Sequence, residues 1–152
     1  SSHTKICHGD LHSDNFFWDG ENCTLIDFGH TWNHHCVVDH SFFKASIRLK
    51  HFPRYIPVNE LIEYDKAFLD KESFKPGFDL SFIKRDKLRS LYKLIHEIRI
   101  DSVKLMYDKS FPTEYLVSIF LITFRQIQYY DLNQIYGLRF ANLMSSECKF
   151  IK

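Results

Sequence analysis

The sequence predicts an α+β domain, mainly helical, with a small β-hairpin near its N-terminal end. Three observations predict it. Phe16-Phe17-Trp18 and Cys23-Thr24-Leu25-Ile26 are β-prone runs, and Asp19-Gly20-Glu21-Asn22 between them carries the Asp-Gly pair of a tight turn. Beyond residue 39, apolar side chains recur at three- and four-residue spacing, the period of an amphipathic helix. Only 5 Gly and 4 Pro punctuate the 152 residues, so long helices run with few breaks.

Each element follows from local chemistry. Lys5-Ile6-Cys7 is a short apolar segment read as extended. With Asp19 to Asn22 as the loop, Trp18 faces Cys23 and Asn15 faces Ile26, which sets Asn15 beside Asp27 at the open end of the hairpin. A two-residue loop would shift the register and separate them. Asp39 opens a helix as its N-cap, and that helix runs to about Lys50 and stops near His51-Phe52-Pro53. Pro53 to Pro57 is a connector, followed by a helix from Asn59 to about Lys71. Lys75-Pro76-Gly77 breaks the chain. A long helix is expected from Phe82 to Tyr107, with Leu88, Leu91, Tyr92, Ile95, Ile98, Val103 and Met106 on one face. Ser110-Phe111-Pro112-Thr113 restarts the chain with Pro near the first turn of the next helix, which runs to about Tyr130. A last helix covers Leu132 to Cys148. One domain over 1–152 is expected, with loops and hairpin in 1–40 and a helical subdomain in 41–152.

Composition narrows the function. The formal net charge is +1, which gives no bulk electrostatic case for nucleic acid or an anionic membrane. Lys84, Arg85, Lys87, Arg89 and Lys93 are read as a solvated helix face. Tyr115 to Phe124 is strongly apolar but too short to span a bilayer, and reads as a buried helix. Arg125, Gln126 and Gln128 follow it, either satisfying buried polar partners or lining a pocket. Cys7, Cys23, Cys36 and Cys148 lack CxxC spacing and read as reduced thiols of a cytoplasmic protein. His30, His34, His35, Cys36 and His40 are dense in metal-ligand types, but no four-point zinc spacing is evident. They are read as solvated loop residues or as contacts to a substrate.

The most informative residues are His8, Asp10, Asn15 and Asp27. They lie in Cys7-His8-Gly9-Asp10-Leu11-His12-Ser13-Asp14-Asn15 and in Leu25-Ile26-Asp27-Phe28-Gly29. Phosphoryl transfer needs one carboxylate beside the acceptor hydroxyl and oxygen ligands for Mg²⁺ on the nucleotide phosphates. Asp10, Asn15 and Asp27 are the residue types that supply both, and Gly9 permits a bend that a Cβ would hinder.

These motifs resemble the catalytic and metal-binding segment of protein-kinase-like phosphotransferases, most closely the aminoglycoside phosphotransferase and choline kinase group. The resemblance covers residues 1–40 and implies a kinase-like C-terminal lobe. It implies that Asp10 positions and deprotonates the attacking hydroxyl, that Asn15 and Asp27 hold Mg²⁺, and that His8 holds the loop. Asp39, in Val37-Val38-Asp39-His40, falls where relatives place an acid that braces the catalytic loop. The Gly-Asp-Pro positions of that pattern hold His34-His35-Cys36 instead. His12, His30, His34 and His35 are the acceptor-side candidates. ATP or another nucleoside triphosphate, Mg²⁺ and a small-molecule hydroxyl are the implied cofactors and substrate. The catalytic loop begins at His8, so the nucleotide-covering lobe is expected to come from a missing N-terminal lobe or partner domain, and self-association is expected through the uncovered face. The alternative is a kinase-like module that binds a partner or nucleotide without transferring phosphate, similar to the ternary-complex-associated domains of bacterial multidomain regulators.

Overall fold

Local chemistry accounts for the hairpin first. In a computed structural model describing residues 3–107 and 112–147, β2 (Phe16–Trp18) pairs antiparallel with β3 (Cys23–Leu25), with Trp18 opposite Cys23. The loop has four residues, as expected. Asp19 Oδ1 accepts the amide hydrogens of Glu21 (2.9 Å) and Asn22 (2.7 Å), replacing ladder bonds that the turn cannot make. Ile26 N–H donates to Asn15 O (3.0 Å), which extends the pairing by one step.

A second two-stranded sheet was not anticipated. β1 (Thr4–Cys7) pairs antiparallel with β4 (Trp32–His35), placing Cys7 opposite Trp32 and Thr4 opposite His35. Trp32-Asn33-His34-His35 has no apolar alternation to announce a strand. Its backbone partner comes from residues some thirty positions earlier, which local reading does not see.

The helical part comprises α1 (Val38–Ser46), α2 (Val58–Ala67), α3 (Asp86–Leu105), α4 (Thr113–Gln126) and α5 (Gln134–Glu147). α1 packs on α3 and α4, α5 on α2 and α4. The molecule is thus mainly helical, with two small sheets at one end. No helix among the described residues is long and apolar enough to cross a membrane.

Several boundaries differ from expectation for identifiable reasons. Val37, not Asp39, is the N-cap of α1, and no side chain caps that end. Asp39 is engaged elsewhere, as described below. α1 continues into a wider π-type turn (Ile47–His51) and stops at Phe52, because the residue before Pro53 is forced out of helical geometry. Asn133 N–H takes the Leu49 carbonyl (2.9 Å). α2 ends at Ala67, short of Lys71, because Asp70 turns extended and its side chain accepts Glu72 N–H (2.8 Å), starting a separate turn. α3 begins at Asp86 rather than Phe82, since Ile83 N–H closes a turn on Leu80 O (3.1 Å) and Arg85 is extended. Asn133 Oδ1 accepts Tyr136 N–H (3.1 Å) and delays α5 to Gln134. The expected restart at Ser110-Phe111 and the end at Cys148 lie outside the described residues.

The core combines the predicted stripe with buried charge. Leu88, Tyr92, Ile95 and Ile98 of α3 are buried, with Tyr115, Leu116, Ile119 and Ile122 of α4. Glycine sits in the first turn of α5 at Gly137, where a Cβ would stand 2.9 Å from Ile127 and 3.0 Å from Leu49. At the centre Arg48 (1 % exposed) pairs with Asp65 (0 %). Tyr92 OH donates to Asp65 Oδ1 (2.8 Å), Tyr136 OH donates to Asp65 Oδ2, and Arg48 also donates to Tyr136 OH (2.8 Å). The guanidinium lies 4.5 Å from the Phe140 ring centroid. Burial alone would lower the Arg48 pKa, but the adjacent Asp65 carboxylate more than offsets it, so the pKa is raised and the guanidinium stays charged.

Removing one partner of such a pair strands a charge in an apolar core. Asp65→Ala is therefore expected to cost about 3–5 kcal/mol in urea unfolding, and combining it with Arg48→Met should recover much of that loss. A single-variant cost below about 1 kcal/mol would show that water reaches the pair.

Candidate functional site

The loop from Cys7 to Asn15 leaves β1 and is fastened at several points. Asp39, in the first turn of α1, accepts His8 N–H at Oδ2 (2.8 Å) and Gly9 N–H at Oδ1 (2.9 Å). Both carboxylate oxygens are thus spent on successive backbone amides, a bidentate charge-assisted grip. His8 Nε2 donates to Ile26 O (2.8 Å), and its ring meets Phe28 at 5.0 Å between centroids. His8 therefore ties the loop to the chain on both sides of Asp27.

Gly9 is required by conformation and by space. Its φ is +81°, and a Cβ would lie 2.3 Å from His30 O and 2.7 Å from His34 Nε2. His34 in turn donates from Nε2 to His30 O (3.1 Å). His30 and His34 thus pack behind the loop at Gly9.

Asn15 ends a short turn (Ser13–Asn15) and is buried. Its Nδ2 donates to Asp10 O (2.8 Å), which leaves Oδ1 as the atom it offers a cation. Asp27 adopts left-handed backbone geometry (φ 61°), uncommon for a residue with a side chain, and its carboxylate makes no cap hydrogen bond. The hairpin places Asn15 opposite Ile26, so Asp27 is one residue from that pair. The donor set is all oxygen, which suits a hard cation such as Mg²⁺.

Asp10 lines a cavity of about 260 Å³ together with His12, Asp14, Lys50, Arg125 and Tyr129. His12 Nε2 stands 3.6 Å from Asp10 Oδ2. Lys50 pairs with Asp14, and that hydrogen bond holds the Asp14 carboxyl below its usual range. Of the acceptor-side candidates, His12 is in this cavity. His30 and His34 lie behind Gly9, and His35 contacts Glu114 at 3.2 Å. Lys50 and Tyr129 were not singled out by sequence. Each lies at the end of a helical stretch, and only packing of α1 against α4 brings them to Asp10.

Several large apolar side chains of the strands and of the turn after Asp27 are exposed. Ile6 is 74 % exposed, Trp18 62 % and Phe28 57 %. Phe16 departs from this pattern, being half-buried against Phe43 at 4.7 Å between ring centroids. Among the described residues Cys7, Cys23 and Cys36 form no disulfide.

Residues 1–68 match the model of the phosphotransferase enzyme family. That span runs from β1 through α2 and contains every residue of the loop, the hairpin and Asp39. The match supports the aminoglycoside phosphotransferase-like reading of the motifs. No curated protein and no solved structure matches the chain.

Gly9→Ala is expected to destabilise the loop by about 1–3 kcal/mol from backbone conformation alone, with more from the clash at His30. Amide hydrogen exchange at His8 and Gly9 should accelerate. Unchanged exchange would mean that the loop tolerates a Cβ at position 9.

Proposed function

We propose that this chain carries the catalytic and metal-binding loops of an ATP- and Mg²⁺-dependent phosphotransferase acting on a small-molecule hydroxyl. One observation carries the reading: Asp10 lines a small cavity edged by charged side chains while its loop is fastened from behind by Asp39. The fold reads on this basis as a kinase-like C-terminal lobe.

In this reading the substrate hydroxyl donates a hydrogen bond to the Asp10 carboxylate. As that oxygen attacks the γ-phosphorus and the bond to the leaving nucleotide breaks, Asp10 takes the hydroxyl proton. Asn15 Oδ1 and the Asp27 carboxylate are the residues that would hold Mg²⁺, whose role when bound is to neutralise charge on the phosphates. Hydrogen bonding from Asn15 Nδ2 to Asp10 O couples the metal side of the loop to the base. The cavity, about 260 Å³, lies below the roughly 300–1,000 Å³ of sites for drug-sized ligands. Its walls carry both signs of charge, from Asp14 and Asp131 to Lys50 and Arg125, so a polar acceptor suits it better than a purely cationic one.

The test is transfer of phosphate from ATP to a panel of small alcohols, using the longest natural chain that carries these residues. Asp10→Asn should lower kcat by about 10²–10⁴-fold with little change in the Mg²⁺ requirement. An Asp10→Asn enzyme with unchanged kcat would remove Asp10 from the mechanism.

The exposed apolar side chains support a covering body in the same reading. Nucleotides in this class lie between two lobes, and the exposure of Ile6, Trp18 and Phe28 supports a covering surface near the loops. Contiguous apolar patches beyond about 300–600 Å² mark interaction sites. The 152-residue chain is expected to self-associate through this face, with Trp18→Ser reducing association in light scattering across a dilution series. A chain that stays monomeric at high concentration would shift the reading toward a closed, non-catalytic module.

A further inference from the structure

A second cluster of reactive side chains lies at the seam of β4, the start of α1 and the start of α4. His35 ends β4, Cys36 follows it, and Glu114 sits in the first turn of α4. An imidazole nitrogen, the thiol sulfur and a carboxylate oxygen of these three residues all lie within 4.8 Å of one another. His35 Nε2 is 3.2 Å from Glu114 Oε2. Yet Oε2 is buried and takes no hydrogen bond, and His35 Nδ1 is buried and also makes none. The two stand at ion-pair distance, and a short N···O approach of this kind also fits two ligands of one cation.

The surroundings orient the set. Glu114 Oε1 accepts Tyr107 N–H (3.2 Å), which leaves Oε2 for the cluster. Cys36 N–H donates to His3 O (2.9 Å), and its thiol donates to Leu105 O (3.0 Å).

We propose that His35, Cys36 and Glu114 bind a divalent transition metal of the zinc class. Nitrogen, thiolate and carboxylate are the donors zinc takes, whereas Mg²⁺ prefers oxygen alone. Atoms about 2.0–2.3 Å from a tetrahedral zinc stand roughly 3.3–3.8 Å apart. The widest pair here closes to that spacing by side-chain adjustment of about 1 Å. Three protein ligands leave a fourth position for water. On binding, the Cys36 thiol releases its proton to solvent, and the hydrogen bond to Leu105 O gives way to a sulfur–metal bond. The metal then pins α4 to the junction of β4 and α1, three residues before Asp39. This site is independent of the phosphoryl-transfer reading.

Titration of the metal-free 152-residue chain with Co²⁺ and Zn²⁺ tests it. The expected result is one bound equivalent and a thiolate-to-cobalt charge-transfer band in the near ultraviolet. Zn²⁺ should displace the cobalt, Mg²⁺ should not, and bound metal should raise the thermal midpoint. Cys36→Ser should abolish the band, and Glu114→Gln should weaken binding at least about tenfold. Cys23→Ser and His30→Gln should leave binding intact. Circular dichroism checks that each variant is folded, and Glu114→Gln, at a partly exposed position, carries the test if Cys36→Ser unfolds. A folded chain without the cobalt band would overturn the proposal. So would binding that survives Glu114→Gln but is lost in Cys23→Ser or His30→Gln.

Discussion

The buried Arg48–Asp65 pair is the constraint on which the helical body depends. It joins the turn after α1 to α2, and through Tyr92 and Tyr136 it reaches α3 and α5. Four segments therefore meet at one charge pair rather than at apolar contacts alone. A buried ion pair adds little net stability over a well-packed apolar substitute, because both charges lose their water. Its geometry is nonetheless demanding. A slide of α1 along the bundle would part Arg48 from Asp65, so the pair fixes the register of α1.

That register bears on the site. Asp39 is on α1, nine residues before Arg48, and its two oxygens hold the amides of His8 and Gly9. Lys50 and Phe42 of the same helical stretch line the cavity at Asp10. One helix thus links the core to the back of the loop and to the wall of the cavity. The hairpin side is joined to the loop through His8 to Ile26 O and Ile26 N–H to Asn15 O, and to α1 through Phe16 against Phe43.

The cluster at His35, Cys36 and Glu114 shows how far a linear reading reaches. His35 and Cys36 were visible as ligand types, but the neighbouring histidines obscured which of them converge. Glu114 is 78 positions beyond Cys36 and marked only the edge of an apolar run. The packing of α1 against α4 brings it in. The same packing carries Arg125 and Tyr129 to Asp10.

By itself, the sequence determined the hairpin register, the helical character of the remainder and the loop containing His8, Gly9, Asp10 and Asn15. These depend on short-range rules: an Asp-Gly turn, a period near 3.6, and a fixed spacing of polar residues. It also pointed to Asp39 as a brace. Its reading of Asp39 as a helix cap failed, because the carboxylate is taken by amides some thirty residues away. Tertiary structure alone decided the β1–β4 pairing, the Arg48–Asp65 partnership, the cavity beside Asp10 and the place of Glu114. In each case the partner lies far along the chain. A hydrogen-bond donor or charge carries no mark in sequence of which distant group will satisfy it. Only the competition for burial, settled across the whole fold, selects that group.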